Sequence, residues 1–414
     1  MEIYILDSLL RPIDLIDETQ YISFIWTERY AVKGDFQLVT LSSASMKNRF
    51  PTDTMIQIPD SKRIMRVRTI EEKDDTSAGT TLTIKGDDLI GIFEQRVLAF
   101  RNASGGDHPN MIIPVTSMAG ITPMALMKTF VNYICTPPAG LNPGDEVPFL
   151  QDTFTSPSLY PASNIPEPAP GGIQWDQKVA TLASALHDIA DAYDLGIRLY
   201  KDPSASKLYF EPYQGADRTT AQSVYPPVVF SSDMDNLQNT TEYMDNTEHF
   251  NVVIAIYQYT EDVTNRQLTI DATVSDAELA FSSGGFDQKT KTITITQIPD
   301  GMELVDVPAY LQQLASEELT RSRPSDIYDG EVDPHTSFVY EKDYYLGDKV
   351  EVRGDNGGGA FMRVVEQIIK YDSNGKASYP SLVTKESINP GTWRSWKYDV
   401  DWVDMGSGEY WYNQ

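Results

Sequence analysis

The residue types that most often carry out catalysis or bind metal ions are few in this sequence and far apart. The four histidines, His108, His187, His249 and His335, have no second ligand candidate at helical or strand spacing. Cys135 is the only cysteine, which excludes a disulfide framework and every Cys-x-x-Cys motif, and its surroundings predict a small buried side chain in a helix. We therefore predict no catalytic residue, no metal and no cofactor.

Two further patterns could bind a cation or a phosphate, but both lack residues that such sites require. Asp233, Asp235 and Asn236 offer oxygen ligands for calcium, yet no glycine-centred loop or closing bidentate glutamate lies at the required spacing. The glycine run 357–359 leads into a predicted strand instead of the helix that follows a phosphate-binding loop. The first pattern is interpreted as an acidic loop and the second as a flexible turn.

The end of the chain concentrates aromatic side chains of the kind that anchor protein interfaces. Residues 386–414 contain four of the six tryptophans. Because tryptophan and tyrosine supply large, rigid contact surfaces, this tail is predicted to dock a partner, with packing against its own domain as the alternative. The candidate interface residues are Trp393, Trp396, Trp402, Tyr410 and Trp411.

The charge balance restricts the partners that these residues can have. Sixty acidic against 33 basic side chains leave a net charge of −27 over 414 residues. Such a chain has no broad positive surface with which to bind nucleic acid tightly through its phosphates. The 41% of hydrophobic residues indicates a folded protein, and neither a signal peptide nor a membrane-spanning run of apolar residues is visible. A soluble multidomain protein is predicted.

The elements that would position these residues are mainly strands. Short alternating strands separated by turn residues fill residues 1–90 and predict a small antiparallel β-barrel. Residues 228–385 return to strands, around a helix at 308–320, and predict a second barrel before the aromatic tail 386–414. The predicted fold class is α+β, mainly β, with two small barrels that flank a mixed domain.

That mixed domain is predicted between the barrels, over residues 91–227. Helices are expected at 123–134, where a threonine cap precedes a proline at the first helical position, and at 176–193, where apolar residues recur at helical period. Residues 136–172 are rich in Pro and Gly and predict a long irregular loop. Loops of this length are usually functional loops or interface arms.

One short pattern occurs near both ends of the chain. Its first copy is Ile64-Met65-Arg66-Val67 followed by Lys73 and Asp75, and its second copy is Phe361-Met362-Arg363-Val364 followed by Lys370 and Asp372. A strand with alternating apolar residues precedes each copy. The recurrence predicts that the two barrels are related to each other.

Motif residues in three parts of the chain keep the order and spacing of one known family. They are Trp26, Gly34, Asp35, Gly86, Asp87, Arg96, Gly347 and Asp348. With segments 229–237 and 251–254, they resemble the siphophage minor tail proteins of the baseplate hub family. That family is related to the hubs of contractile tails and to the N-terminal part of tail-associated lysins. The resemblance covers residues 1 to about 385.

This resemblance implies a structural protein of a phage tail tip and no enzyme. In the family, a homotrimer with two barrels per chain joins the sixfold tail tube to the threefold tip and forms part of the DNA channel. The implied partners are a distal tail protein, a tape-measure protein and tail-tip or receptor-binding proteins, with DNA only in transit and no membrane insertion. The implied location is the virion tail tip, after synthesis in the host cytoplasm, with roles in host attachment and DNA ejection.

Two points stay open at this stage. The excess of acidic residues suggests a negative channel through which DNA slides without sticking, although the charges could equally lie outside. The alternative function is a particle-associated protein that binds or degrades carbohydrate or cell wall.

Overall fold

The computed structural model has few helices and many strands, as the alternation of apolar residues predicts. It describes residues 1–74, 79–98, 121–136, 145–167, 181–245, 250–261, 266–275, 288–298, 302–322, 325–331, 338–353, 359–373 and 375–388. The helices in these ranges are α1 (Ala44–Arg49), α2 (Pro123–Cys135), α3 (Leu182–Tyr193) and α4 (Val307–Arg321), with a 3-10 helix at Leu89–Gln95.

The strands of the described ranges are numbered in chain order. They are β1 (Ile3–Leu6), β2 (Pro12–Ile16), β3 (Ser23–Arg29), β4 (Asp35–Leu41), β5 (Met55–Gln57), β6 (Met65–Lys73), β7 (Thr81–Asp88), β8 (Gly196–Lys201), β9 (Leu208–Tyr213), β10 (Val229–Ser231), β11 (Gln238–Asp245), β12 (Val252–Glu261), β13 (Arg266–Ser275), β14 (Thr290–Ile295), β15 (Ser325–Glu331), β16 (Lys349–Arg353), β17 (Gly359–Asp372) and β18 (Gly375–Ile388).

Most strands join one continuous sheet. Its order is β11-β15-β18-β17-β3-β4-β7-β6-β5-β1-β2, with β16 paired to β17 and β10 paired to β16. The two closed barrels of the prediction are not confirmed, because no pairing of β2 with β3 closes the first set of strands within the described residues 1–74. The outer edge of β3 pairs instead with the second half of β17.

Three apolar cores lie along this sheet. Strands β1–β7 cover one core, which contains Phe24, Trp26 and Phe36. A second core lies under β16–β18 and contains Phe230 and Tyr344. The largest core lies between α2, α3, the 3-10 helix and the hairpin β8–β9. Because each fully buried apolar side chain contributes roughly 1.5–3 kcal/mol, these cores hold the sheet in place.

The predicted helices form where local capping signals are strong. Thr122 accepts a hydrogen bond from the amide of Ala125 at 3.2 Å and starts α2. Thr181 caps Ser184 at 3.1 Å, so α3 begins at Leu182, later than the expected residue 176. Burial in α2 raises the pKa of Cys135 to about 12, which agrees with its interpretation as an inert buried side chain.

A small subdomain is inserted between β11 and β15. Its sheet has the order β13-β12-β14, and α4 packs on one face of it. Leu311 of α4 shares a buried apolar cluster with Val253 and Ala255 of β12. The Tyr193 hydroxyl of α3 donates to Glu317 Oε1 of α4 at 3.4 Å, which connects this subdomain to the largest core.

Residues 338–340, which their alternation predicts to be a strand, instead lead into a turn at 341–343. There Asp343 Oδ2 accepts a hydrogen bond from the amide of Val339 at 2.7 Å, and Glu341 has φ of +61°. Of the long loop 136–172, residues 137–144 and 168–172 lie outside the described ranges.

Candidate functional site

Among the residues that the structure describes, those that could do chemistry do not converge. Within the described ranges, no group of three or more His, Cys, Asp or Glu side chains could hold a metal ion. Asp233 and Asp235 are exposed. Asn236 is fully buried, where its Oδ1 accepts from the amide of Ser231 at 2.7 Å and its Nδ2 donates to the carbonyl of Val229 at 2.9 Å. The side-chain amide of Asn236 therefore closes a turn and is not available as a calcium ligand. In the described part of the chain, no helix is both long and apolar enough to cross a membrane.

The feature of the structure that bears on function is instead the repeated sequence pattern. Met65 of β6 and Met362 of β17 are both fully buried. Each pairs with a buried apolar residue of the preceding strand, Met65 with Ile56 and Met362 with Val350. The two copies therefore occupy the same place in two similar hairpins, and the predicted relationship between them extends to the structure.

The likeness extends to an irregularity in each copy. The pairing of β6 with β7 shifts register between Val67 and Thr69, and the pairing of β17 with β18 shifts between Val364 and Glu366. Because these pairs hold equivalent positions of the pattern, the same bulge recurs in both copies. Bulges re-aim strands and are structural features rather than defects.

The surrounding strands follow the same order in both places. We call β3–β7 the first unit, with the order β3-β4-β7-β6-β5, and β11 with β15–β18 the second unit, with the order β11-β15-β18-β17-β16. All these pairings are antiparallel. The inserted subdomain lies where the first unit has only the short turn between β3 and β4.

The two units meet at one junction inside the chain. Strand β17 of the second unit pairs with β3 of the first unit from Glu366 opposite Arg29 to Tyr371 opposite Phe24. Arg29 Nε donates to Glu366 Oε1 at 2.7 Å across this junction. The main-chain pairing and the ion pair together make the junction between β3 and β17 a continuous piece of sheet.

The equivalent strands at the other junction are β6 and β11. Strand β17 pairs with β3 along one of its edges, and residues 69–73 of β6 form the equivalent edge. Among the described residues, no strand pairs with this edge of β6, and β11 is an edge strand at one end of the sheet. Ile70 on β6 is 36% exposed, whereas its equivalent Gln367 at the formed junction is fully buried. Open strand edges are templates for pairing with another chain.

A buried ionic cluster, which sequence reasoning missed, supports the formed junction. Arg63 Nη1 lies 2.9 Å from Asp88 Oδ2, and Arg63 Nε lies 3.6 Å from Glu28 Oε2. Tyr340, which follows the second unit's strand β15, donates to Glu28 Oε2 at 2.8 Å. Burial raises the pKa of Asp88, and the neighbouring Arg63 guanidinium opposes that shift. No spacing in the sequence distinguishes these residues, because they come together only in the folded chain.

The structure places the motif glycines at close backbone approaches. A Cβ atom on Gly34 would lie 2.1 Å from the carbonyl oxygen of Thr27, and one on Gly86 would lie 2.0 Å from that of Arg66. Gly347 has φ of +90°, in the region that favours glycine. These positions shape the two units and do not converge on a ligand site.

Three further motif residues lie in the first unit. Trp26 is buried in its core. Asp35 lies 2.5 Å from the Arg29 Nη1, and Asp87 Oδ1 accepts from Arg68 Nε at 2.6 Å. The two aspartates therefore hold charged side chains on the face of the sheet that points away from the core.

The last two motif residues hold together segments that are far apart in the sequence. Arg96 Nε donates to the carbonyl oxygen of Asp145 at 2.9 Å. Asp348 is buried and accepts from Arg218 Nε at 2.5 Å and from the amide of Ala216 at 2.8 Å. Burial raises the pKa of Asp348 and Arg218 opposes the shift. The tail residues Trp393, Trp396, Trp402, Tyr410 and Trp411 lie outside the described ranges.

Two solved structures share this fold over nearly the whole chain. The tail protein from Neisseria meningitidis MC58 is 14% identical, with a TM-score of 0.52, and the match covers 93% of this chain and 96% of that one. The 43 kDa tail protein of prophage MuSo2 from Shewanella oneidensis is 13% identical, with a TM-score of 0.54, and the match covers 93% and 98%. The fold is therefore that of phage tail proteins. No curated protein matches the sequence.

The chain belongs to the Siphovirus ReqiPepy6 Gp37-like protein family, whose profile matches residues 2–380. The resemblance to siphophage tail proteins that the motifs indicated is confirmed.

Proposed function

We propose that this chain is the hub of a siphophage tail tip, a homotrimeric ring that joins the sixfold tail tube to the threefold tip and forms part of the DNA channel. One observation carries the proposal: the chain holds two copies of one unit, with one junction between them formed and, within the described residues, the equivalent junction open. An interface that uses two different edges of the same chain joins copies head to tail, and it gives a ring when the rotation from copy to copy closes.

The ring follows from repeating the junction that the chain already makes. Strand β6 of one copy pairs with β11 of the next, as β17 pairs with β3 within the chain. Three chains then present six similar units, and this number matches the sixfold tube that the family resemblance implies. The ring's surfaces receive the distal tail protein, the tape-measure protein and the tail-tip or receptor-binding proteins.

The remaining features fit this role. A net charge of −27 per chain disfavours tight binding of DNA, which suits a protein that DNA only passes. The aromatic tail 386–414 is proposed to dock a neighbouring tail protein at the virion tail tip. We assign the chain a structural role in host attachment and DNA ejection and no catalytic one.

Native mass spectrometry of the full chain tests the ring. We expect a trimer that dissociates on dilution, and Ile70→Lys should shift it to monomer because a charge then occupies the edge of β6 that the next copy covers. Ile13→Lys is the matched control, since Ile13 is 65% exposed on β2, away from both junctions. A wild-type chain that stays monomeric at every concentration contradicts the hub, and a trimer that Ile70→Lys leaves intact contradicts this junction.

A further inference from the structure

Two equivalent arginines of the repeated pattern differ in their partners. Arg66 and Arg363 follow the buried methionines of β6 and β17. Arg363 Nη1 donates to the carbonyl oxygen of Gly347 at 2.5 Å, and its Nη2 donates to Asp194 Oδ2 at 2.6 Å. Asp194 is the residue that ends α3, outside both units. The second unit therefore receives a carboxylate from elsewhere in the same chain.

Arg66 has no such carboxylate. Its Nε and Nη2 atoms are buried and find no hydrogen-bond acceptor among the described residues. Asp53 Oδ1 lies 3.5 Å from Nε, which is too far for a good hydrogen bond. Nε and Nη2 form one edge of the guanidinium group, and this edge binds a carboxylate through two parallel hydrogen bonds. Buried donors normally have a partner; Arg66 lacks one at both atoms of this edge, whereas Arg363 lacks one only at Nε.

The surroundings of Arg66 favour an incoming negative group. Burial lowers the pKa of Arg66, and the positive charges of Arg68 and Arg96 lower it further. Of the two nearby carboxylates, Asp87 already accepts from Arg68 Nε at 2.6 Å. Asp53 is 67% exposed, and its Oδ1 also lies 3.6 Å from Arg68 Nη1, so it is shared between two guanidinium groups. Three guanidinium groups against two carboxylates make this a positive site on a chain of charge −27.

We propose that Arg66 binds a carboxylate of the neighbouring copy in the ring. Arg363 binds the carboxylate of Asp194 in the same chain, and Arg66 takes the equivalent partner from the next chain. This inference rests on the proposed ring. Arg66 stands just before residues 69–73, the open edge of β6 where the next copy's β11 would pair. The sequence of β11 ends at Asp245, so the neighbour brings an acidic residue to the end of this edge that lies nearest Arg66.

Carbodiimide coupling identifies the acid that faces this position. Arg66→Lys places an amine there, and the reagent converts an adjacent carboxylate and amine to an amide. A mixture of ¹⁵N-labelled and unlabelled full-length chains then separates links between chains from links within one chain by mass. We expect a mixed-label peptide pair that joins position 66 to an acidic residue of the other copy. A link only to Asp53 or Asp87 of the same chain, or no link in a preparation that is trimeric, overturns the inference.

A second measurement tests the energetic role of the arginine. Arg66→Gln should raise the dissociation constant of the trimer at least tenfold while the unfolding temperature of the monomer stays unchanged. Arg11→Gln removes the same charge from an exposed pair with Asp7 and should leave the trimer unaffected. Equal trimer stability in both variants overturns the inference and leaves the ring intact, whereas a monomeric wild type removes the ring itself. Duplex DNA that binds the wild type but not Arg66→Gln would also overturn it, because phosphate would then be the ligand.

Discussion

Val67 and Val364 make the same two main-chain hydrogen bonds in hairpins at opposite ends of the chain. The Val67 amide donates to the carbonyl oxygen of Thr54 and its carbonyl accepts from the amide of Asp53, both at 2.8 Å. The Val364 amide donates to Asp348 at 3.0 Å and its carbonyl accepts from Gly347 at 2.7 Å. Asp53 and Gly347 both have positive φ, so the turn before each hairpin also recurs. The likeness of the units is thus a property of the backbone as well as of the sequence pattern.

The bulge beside Val67 depends on a glycine. Because a Cβ on Gly86 would lie 2.0 Å from a backbone oxygen, Gly86→Ala forces β6 and β7 apart, and we expect a loss of about 1–3 kcal/mol in the free energy of unfolding. Denaturant unfolding of the full chain measures it. Gly79→Asn is the control, since Gly79 has φ of +82° with open space around it and asparagine tolerates that region. Equal stabilities of the two variants would show that β6 and β7 accommodate the added methyl group without a loss of stability.

The buried ion pair of Arg63 and Asp88 should be essential for stability. Asp88→Ala leaves a guanidinium that is 2% exposed without its 2.9 Å partner, and we expect a loss of about 3–5 kcal/mol. Asp14→Ala removes the partner of Arg49 in a more exposed pair, and we expect about 0.2–1 kcal/mol. Urea midpoints of both variants decide the comparison. A small loss for Asp88→Ala would mean that Arg63 finds another acceptor.

The sequence predicted the structural elements that short-range signals determine. The cap at Thr122 is local, and it placed the start of α2. The repeat predicted two related units. The pairing of β17 with β3 could not be predicted, because alternation shows which face of a strand is buried and not which distant strand lies beside it.

Local exceptions account for the other differences. Helix α1 has only six residues, too few for a clear helical period, although Ser43 caps it. The motif Gly347-Asp348 was recognised, but its contacts with Arg218 and Ala216 depend on a domain far away in sequence. For the same reason, the unsatisfied edge of Arg66 has no signature in the sequence.

Asp348 should matter more than the motif residue Asp87. Asp348→Ala leaves Arg218 Nε and the amides of Ala216 and Tyr345 without their acceptor in a buried site, and we expect a loss of about 3 kcal/mol or more. Asp87→Ala removes a partner of Arg68 on the face of the sheet that points away from the core, with an expected loss of about 1 kcal/mol. Thermal unfolding compares the two, and the reverse order would contradict the linking role of Asp348.

His187 should make the stability of the chain depend on pH near neutrality. Burial lowers its pKa below the usual 6.5, and the nearby Asp191 and Glu94 only partly offset that effect. Between the lowered pKa of His187 in the folded chain and its usual pKa of 6.5, the unfolded chain binds more protons than the folded chain. The free energy of unfolding therefore rises with pH in this range and falls when the solution is acidified. His187→Gln should flatten this slope in the range just below pH 6.5. Urea unfolding of both proteins across that range measures it, and parallel profiles would show that His187 has the same pKa in the folded and unfolded chains.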